Sequence, residues 1–177
     1  MRKLLGTVAL VGVMMAPGSV EAQMTVGGLG AYHADLEAIG IGAYATIALP
    51  QLHENVSIAP NFIFFFPDGG DYFELNADMI YSFPVAEDAP VSPFALAGIN
   101  IGRFSGPSVN IPGIGSVGGS STRVGLNLGG GVAIPMESIR PVVGAKFELR
   151  DGSSFVLFAG VGFAVGNLVH QVAEAQS

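Results

Sequence analysis

Half of the 177 residues are apolar, yet beyond residue 22 no uninterrupted apolar run reaches the roughly 18–20 residues that a membrane-crossing helix needs. Only 12% of the residues are Asp, Glu, Lys or Arg, which is sparse for a soluble domain of this length. Hydrocarbon holds no water to satisfy backbone N–H and C=O groups, so only helices and closed barrels cross it. An apolar chain without a spanning helix therefore points to strands that close on themselves. The 26 glycines suit crowded lumens and bent strands.

The apolar period supports this reading, because it is 2 rather than 3.6. From Tyr72 to Val85, Phe73, Leu75, Ala77, Met79, Tyr81 and Phe83 share one face, while Tyr72, Glu74, Asn76, Asp78, Ile80 and Ser82 share the other. A strand alternates its side chains in this way. The same alternation recurs over Ile39–Leu49, Val56–Phe66, Arg123–Ile134 and Val143–Arg150, and more weakly over Thr25–Ala34, Ser92–Phe104 and Ser154–Val165. Eight segments of about ten residues match the even strand number and the strand length of a bacterial membrane barrel. The expected fold is all-β: an eight-stranded antiparallel up-and-down transmembrane β-barrel over residues 23–165. Aromatic residues near the second hairpin, Phe64, Phe65, Phe66, Tyr72, Tyr81 and Phe83 among them, are expected to supply part of an aromatic girdle.

The N-terminus has a different character. Arg2 and Lys3 precede an apolar run from Leu4 to Met15, and Val20-Glu21-Ala22 offers small residues for cleavage. This is the layout of a secretory signal peptide, here residues 1–22. Export then places the barrel in the outer membrane. Residues 166–177, GNLVHQVAEAQS, follow the last strand and read as a periplasmic tail. With a periplasmic N-terminus, the outer loops fall near His33–Glu37, Pro67–Asp71, Ser105–Ser120 and Asp151–Ser153, and Ser105–Ser120 is the long one. The periplasmic turns fall near Pro50–Asn55, Pro84–Val91 and Pro135–Ile139.

The segments STRVGLNLGGGVAIPMESIRPVVGAKFELRDG and VSPFALAGINIG resemble the outer-membrane β-barrel domain family of small porin-like proteins, which shares the architecture of the outer-membrane protein A transmembrane domain. The resemblance covers most of residues 23–165 and implies an outer-membrane location and a packed or narrow lumen. It supplies no enzymatic site to carry over. Members of that family commonly end in an aromatic residue on the last strand, a part that Phe163 would take here.

An eight-stranded barrel is just wide enough for side chains to fill it. Glu74, Asp78, Arg123, Lys146, Glu148 and Arg150 fall on the polar parity and are expected to meet as an ion-paired cluster in the lumen. That cluster reads as a structural plug, or as the gate of a narrow path for ions or small solutes. Arg103 lies on the apolar parity at the outer end of its strand. It is expected to anchor at the headgroups, where lipopolysaccharide phosphate is one partner it suits.

Outer-membrane lipids are the expected surroundings, and the outer loop 105–120 is the expected contact surface for an extracellular partner. The formal net charge of -7 argues against nucleic acid. No cofactor is expected. The chain has no Cys, and His33, His53 and His170 are scattered, with His33 assigned to an outer loop, so no metal site is expected either. The function expected is structural or porin-like and non-enzymatic. Parity alone does not say which face is inside, which leaves a soluble exported barrel around an apolar ligand, in the manner of lipocalins, as an alternative.

Overall fold

The computed structural model describes residues 24–86, 89–106, 109–111, 115–117, 119–136, 139–150 and 152–165. The expected signal peptide, residues 1–22, and the expected tail, residues 166–177, lie outside the described residues.

Among the described residues ten strands follow one another: β1 Met24–His33, β2 Ala38–Ala48, β3 Val56–Phe65, β4 Asp71–Ser82, β5 Ser92–Ser105, β6 Val109–Ile111, β7 Gly115–Val117, β8 Ser120–Ala133, β9 Ile139–Arg150 and β10 Gly152–Ala164. Eight of them close into a barrel in the order β1-β10-β9-β8-β5-β4-β3-β2, each antiparallel to its neighbours. The closing seam is a full ladder, from Thr25↔Ala164 to His33↔Val156. Neighbours in the barrel are neighbours in sequence, apart from the insertion of β6 and β7, so the topology is up-and-down. β6 and β7 pair with each other inside the stretch read from sequence as a single long loop.

The ladder between β2 and β3 breaks between Tyr44↔Asn61 and Ile47↔Ile58. Pro60 lies in that gap, and its ring nitrogen has no hydrogen to donate.

The two faces of the barrel differ in the sense that lipid requires. Leu75, Met79, Ile99, Leu126, Phe147 and Leu157 point outward and stand 47–54% exposed. Glu74, Asn100, Asn127 and Glu148 point inward and are 0% exposed, and Lys146 is 3% exposed. A soluble barrel around an apolar ligand needs the reverse, with charges in water and apolar groups within. The lipocalin-like alternative is therefore overturned.

The lumen is not polar throughout. Ala31, Ala38, Ile63, Phe65, Tyr72 and Val156 form a buried apolar cluster along the wall made by β1–β4 and β10. Phe65 and Tyr72, expected from sequence in an outer aromatic girdle, point into this cluster instead, because residues of that parity face the axis. Phe64 and Phe66, 5.1 Å apart, and Tyr81 and Phe83, 5.4 Å apart, remain as outward aromatic pairs.

Large lumenal side chains lie against glycines of other strands of the barrel. At Gly102 an added Cβ would sit 2.9 Å from Tyr72 Cζ and 2.8 Å from Arg150 Nη1. At Gly162 it would sit 2.6 Å from the Tyr44 hydroxyl. A narrow barrel accommodates such side chains only where the facing wall has none of its own.

Candidate functional site

Residues at i, i+2 and i+4 of a strand share a face. β4 thereby aims Glu74, Asn76 and Asp78 at the axis, and β9 aims Lys146, Glu148 and Arg150 at the same level from across β5 and β8. The two sets interlock. Lys146 Nζ lies 2.7 Å from Glu148 Oε1 and 3.5 Å from Glu74 Oε2, and it donates to Asn76 Oδ1 at 2.8 Å. Arg150 Nη2 bonds Glu74 Oε1 at 2.5 Å and also bonds Glu148 Oε2. Arg150 further donates from Nε to Asn100 Oδ1 at 2.9 Å and from Nη1 to the Tyr72 hydroxyl, which itself donates to Glu74 Oε1 at 2.8 Å.

Two carboxylates thus face two cations, and the charge within this layer balances. Desolvating four such groups is costly, and the layer survives because each charge meets an opposite charge and polar neighbours fill the remaining positions.

Asp78 lies one step toward the end of the barrel that carries the β2–β3, β4–β5 and β8–β9 connections, the turn end; the opposite end is the loop end. It belongs to a second, amide-rich layer. Asn127 Nδ2 donates to Asp78 Oδ1 at 2.7 Å and to Asn76 Oδ1 at 2.8 Å, and Asn61 Nδ2 donates to Asp78 Oδ2 at 3.1 Å. Asn100 Nδ2 reaches Asn127 Oδ1 at 2.5 Å. The carboxylate of Asp78 is therefore held by amides rather than by a direct ion pair.

Arg123 is not part of either layer. β8 keeps its ladder with β9 only as far as Leu126↔Leu149, whereas its ladder with β5 continues to Ser105↔Ser120. The β5–β8 hairpin therefore rises beyond β9, and Arg123 stands two residues, about 7 Å, past the level of Arg150. It is exposed and makes no ion pair among the described residues. Arg103 faces outward, exposed, and donates from Nη2 to Ser120 Oγ at 3.2 Å.

His33 departs from the sequence expectation. It ends β1 rather than lying in the outer loop, and it is 2% exposed. Its Nε2 lies 4.0 Å from Glu74 Oε1 and 3.9 Å from Glu148 Oε2. Its ring stands edge-on to Phe65 at 5.4 Å and to Tyr72 at 5.7 Å. The signal for this placement is parity, since residue 33 shares the inward face of Thr25, Leu29 and Ala31.

One ligand-capable atom from each of His33, Glu74 and Glu148 lies within 4.8 Å of the others. Both carboxylates are already engaged by Lys146 and Arg150, so a metal ion entering there would meet two positive charges. The arrangement suits a sealed ion-pair layer better than a metal centre.

Cavities lie on either side of this layer. Toward the loop end, a 380 Å³ vestibule is lined by His33, Asp35, Tyr72, Arg123 and Arg150 among others. Toward the turn end, a 170 Å³ cavity is bounded at the layer by Lys146 and Asp78 and at its mouth by Arg140 and Ser82. The ion-paired layer thus separates two spaces that open toward opposite ends of the barrel.

No family model matches the chain, and no curated protein matches it. Several solved structures share its fold. The N-terminal β-barrel domain of Pseudomonas aeruginosa OprF aligns over 81% of this chain and 97% of its own, with a TM-score of 0.62 and 16% identity. Neisserial surface protein A aligns over 82% and 98%, with a TM-score of 0.58 and 18% identity. A major outer membrane protein from Thermus thermophilus aligns over 81% and 99%, with a TM-score of 0.55 and 15% identity. The shared feature is the fold, a small closed antiparallel barrel traversed along nearly its whole length.

Proposed function

We propose that this chain is a bacterial outer-membrane protein whose barrel crosses the lipid and serves a structural or porin-like role without catalysis. The observation that carries the reading is the sorting of side chains: Leu126 and Phe147 stand exposed outside, while Glu74 and Glu148 are fully enclosed inside a closed barrel. Water disfavours that exterior, and lipid disfavours any unclosed sheet. The barrels it resembles include a surface protein and an outer membrane protein, which agrees with this location. The leader-like residues 1–22 agree with export. On this reading Arg103 meets lipid headgroups or lipopolysaccharide phosphate, and the projecting β5–β8 hairpin with loop 105–120 is the surface offered to an extracellular partner.

Membrane fractionation with heat-modifiable gel migration tests the proposal. The expected result is recovery in the outer-membrane fraction, with faster migration before boiling than after. Recovery in the soluble periplasmic fraction would overturn it.

A second reading, a narrow channel for ions or small solutes, is favoured by one observation. The cavities on the two sides of the Glu74–Lys146–Glu148–Arg150 layer are separated by side chains alone, and side-chain pairs can exchange partners without moving the backbone.

A further inference from the structure

The turn-end cavity has a chemistry of its own. Leu29, Ile80, Phe94, Leu96, Val142 and Phe158 give it a mainly apolar belt. Lys146, Asn61 and Asp78 form its polar ceiling, and Arg140 lines its mouth beside Tyr44 and Ser82. Arg140 and Lys146 are six residues apart on β9, about 20 Å along the strand and about 15 Å along the axis at the usual tilt. The space is therefore long and narrow. Its 170 Å³ exceeds slightly the roughly 150 Å³ of an apolar cavity that takes up benzene. A pure packing core would leave no such space, and the apolar belt suits an alkyl chain.

We propose that this cavity is a binding site for a medium-chain monocarboxylate that enters from the turn end. The unbranched chain lies along the apolar belt, and the acidic head pairs with the Arg140 guanidinium at the mouth. Charge sets this direction. Glu74, Glu148 and Asp78 outnumber Lys146 and Arg150 in the layers above, so a carboxylate is repelled from the ceiling and drawn to the mouth. A guanidinium receives a carboxylate through two parallel N–H donors, and a flat-ended head fits it better than a hydroxyl does. The site serves either role considered above, because it lies below the ion-paired layer and does not require that layer to open.

The test uses the full barrel in nanodiscs of perdeuterated lipid, with octanoate as the probe. Octanoate also partitions into lipid, so the readout is taken from side chains that lipid does not touch. The expected result is intermolecular NOEs from the octanoate chain to the Leu96 and Val142 methyl groups, with saturation at one equivalent. Arg140→Gln is expected to weaken this binding about tenfold, in line with loss of a charge-assisted pair. Octylammonium is expected to bind wild type at least about tenfold more weakly than octanoate does, for the same reason. Ala59→Phe, which fills the belt from β3, is expected to abolish the NOEs.

Heat-modifiable migration of each variant reports folding and membrane insertion separately from binding, so failure of the outer-membrane reading is distinguishable from failure of the site. NOEs that are absent in a folded wild type overturn the proposal. So do NOEs that persist unchanged in folded Ala59→Phe, or equal binding of octanoate and octylammonium.

Discussion

Arg150 on β9 reaches Glu74 on β4 at 2.5 Å across the width of the lumen, although three strand boundaries separate them around the wall. Their strands share no ladder, so the contact braces the barrel through its interior. Arg150 also holds Glu148, Asn100 and Tyr72, and so ties β9 to both β4 and β5. A closed ladder fixes which strands are neighbours. Bonds through the lumen add a second constraint, on how round the barrel is.

Removing one partner from this layer leaves the other buried and uncompensated. Arg150→Ala and Glu74→Ala are each expected to destabilise the barrel by about 3–5 kcal/mol. The double substitution is expected to cost clearly less than the sum, because it removes both members of the pair. Urea unfolding in lipid vesicles, followed by heat-modifiable migration, measures all three. Additive costs would show that the two side chains do not act on each other.

Gly102 faces the same layer, and its role is steric. An added Cβ would meet both Tyr72 and Arg150, so Gly102→Ala should push the Tyr72 hydroxyl away from Arg150 and Glu74. The expected cost is about 1–3 kcal/mol, the range for overpacking an interior. Tyr72→Phe removes the crowded oxygen, so the cost of Gly102→Ala should shrink in that background. An equal cost in both backgrounds would place the strain elsewhere.

Much of this architecture is legible without coordinates. Alternation at Glu74, Asn76 and Asp78, and at Lys146, Glu148 and Arg150, fixes the face of each side chain, and parity survives small errors in strand ends. Strand boundaries lie within a few residues of those expected for the same reason. Height along the axis is not legible, because it depends on register between strands and on how far each hairpin extends. Arg123 has the right parity, yet β8 outruns β9 and leaves it above the rim. His33 is hidden because Ala34 to Glu37 reads as a turn, and one residue of boundary error moves a side chain from loop to lumen. The apolar wall of Ile63, Phe65 and Val156 is hidden as well, since an aromatic-rich strand looks lipid-facing on both sides.

Position along the axis should also decide the cost of a charge on the outer face. Leu128 pairs with Phe147 and Ala97 well inside the ladder, while Val124 lies on the part of β8 that has no β9 partner. Leu128→Arg is expected to destabilise by about 2–4 kcal/mol, the range for Arg at the bilayer midplane. Val124→Arg is expected to cost no more than about 1 kcal/mol, as near an interface. Urea titration of refolded barrels in vesicles compares them. Equal costs would contradict the placement of lipid around the mid-barrel belt.

Single-channel recording separates the structural reading from the channel reading. Lys146 neutralises both glutamates from the turn side, and its loss leaves the layer one positive charge short. If ions cross by partner exchange within this layer, Lys146→Ala should raise the conductance and shift selectivity toward cations, since an acidic lining favours them. Glu74→Ala should shift selectivity the opposite way, because Lys146 and Arg150 then face only Glu148 in that layer. Both variants need the heat-modifiable migration of a folded barrel for the comparison to hold. Conductance in planar bilayers that neither substitution changes would mean that no ion path runs through the layer, and would leave it the structural role alone.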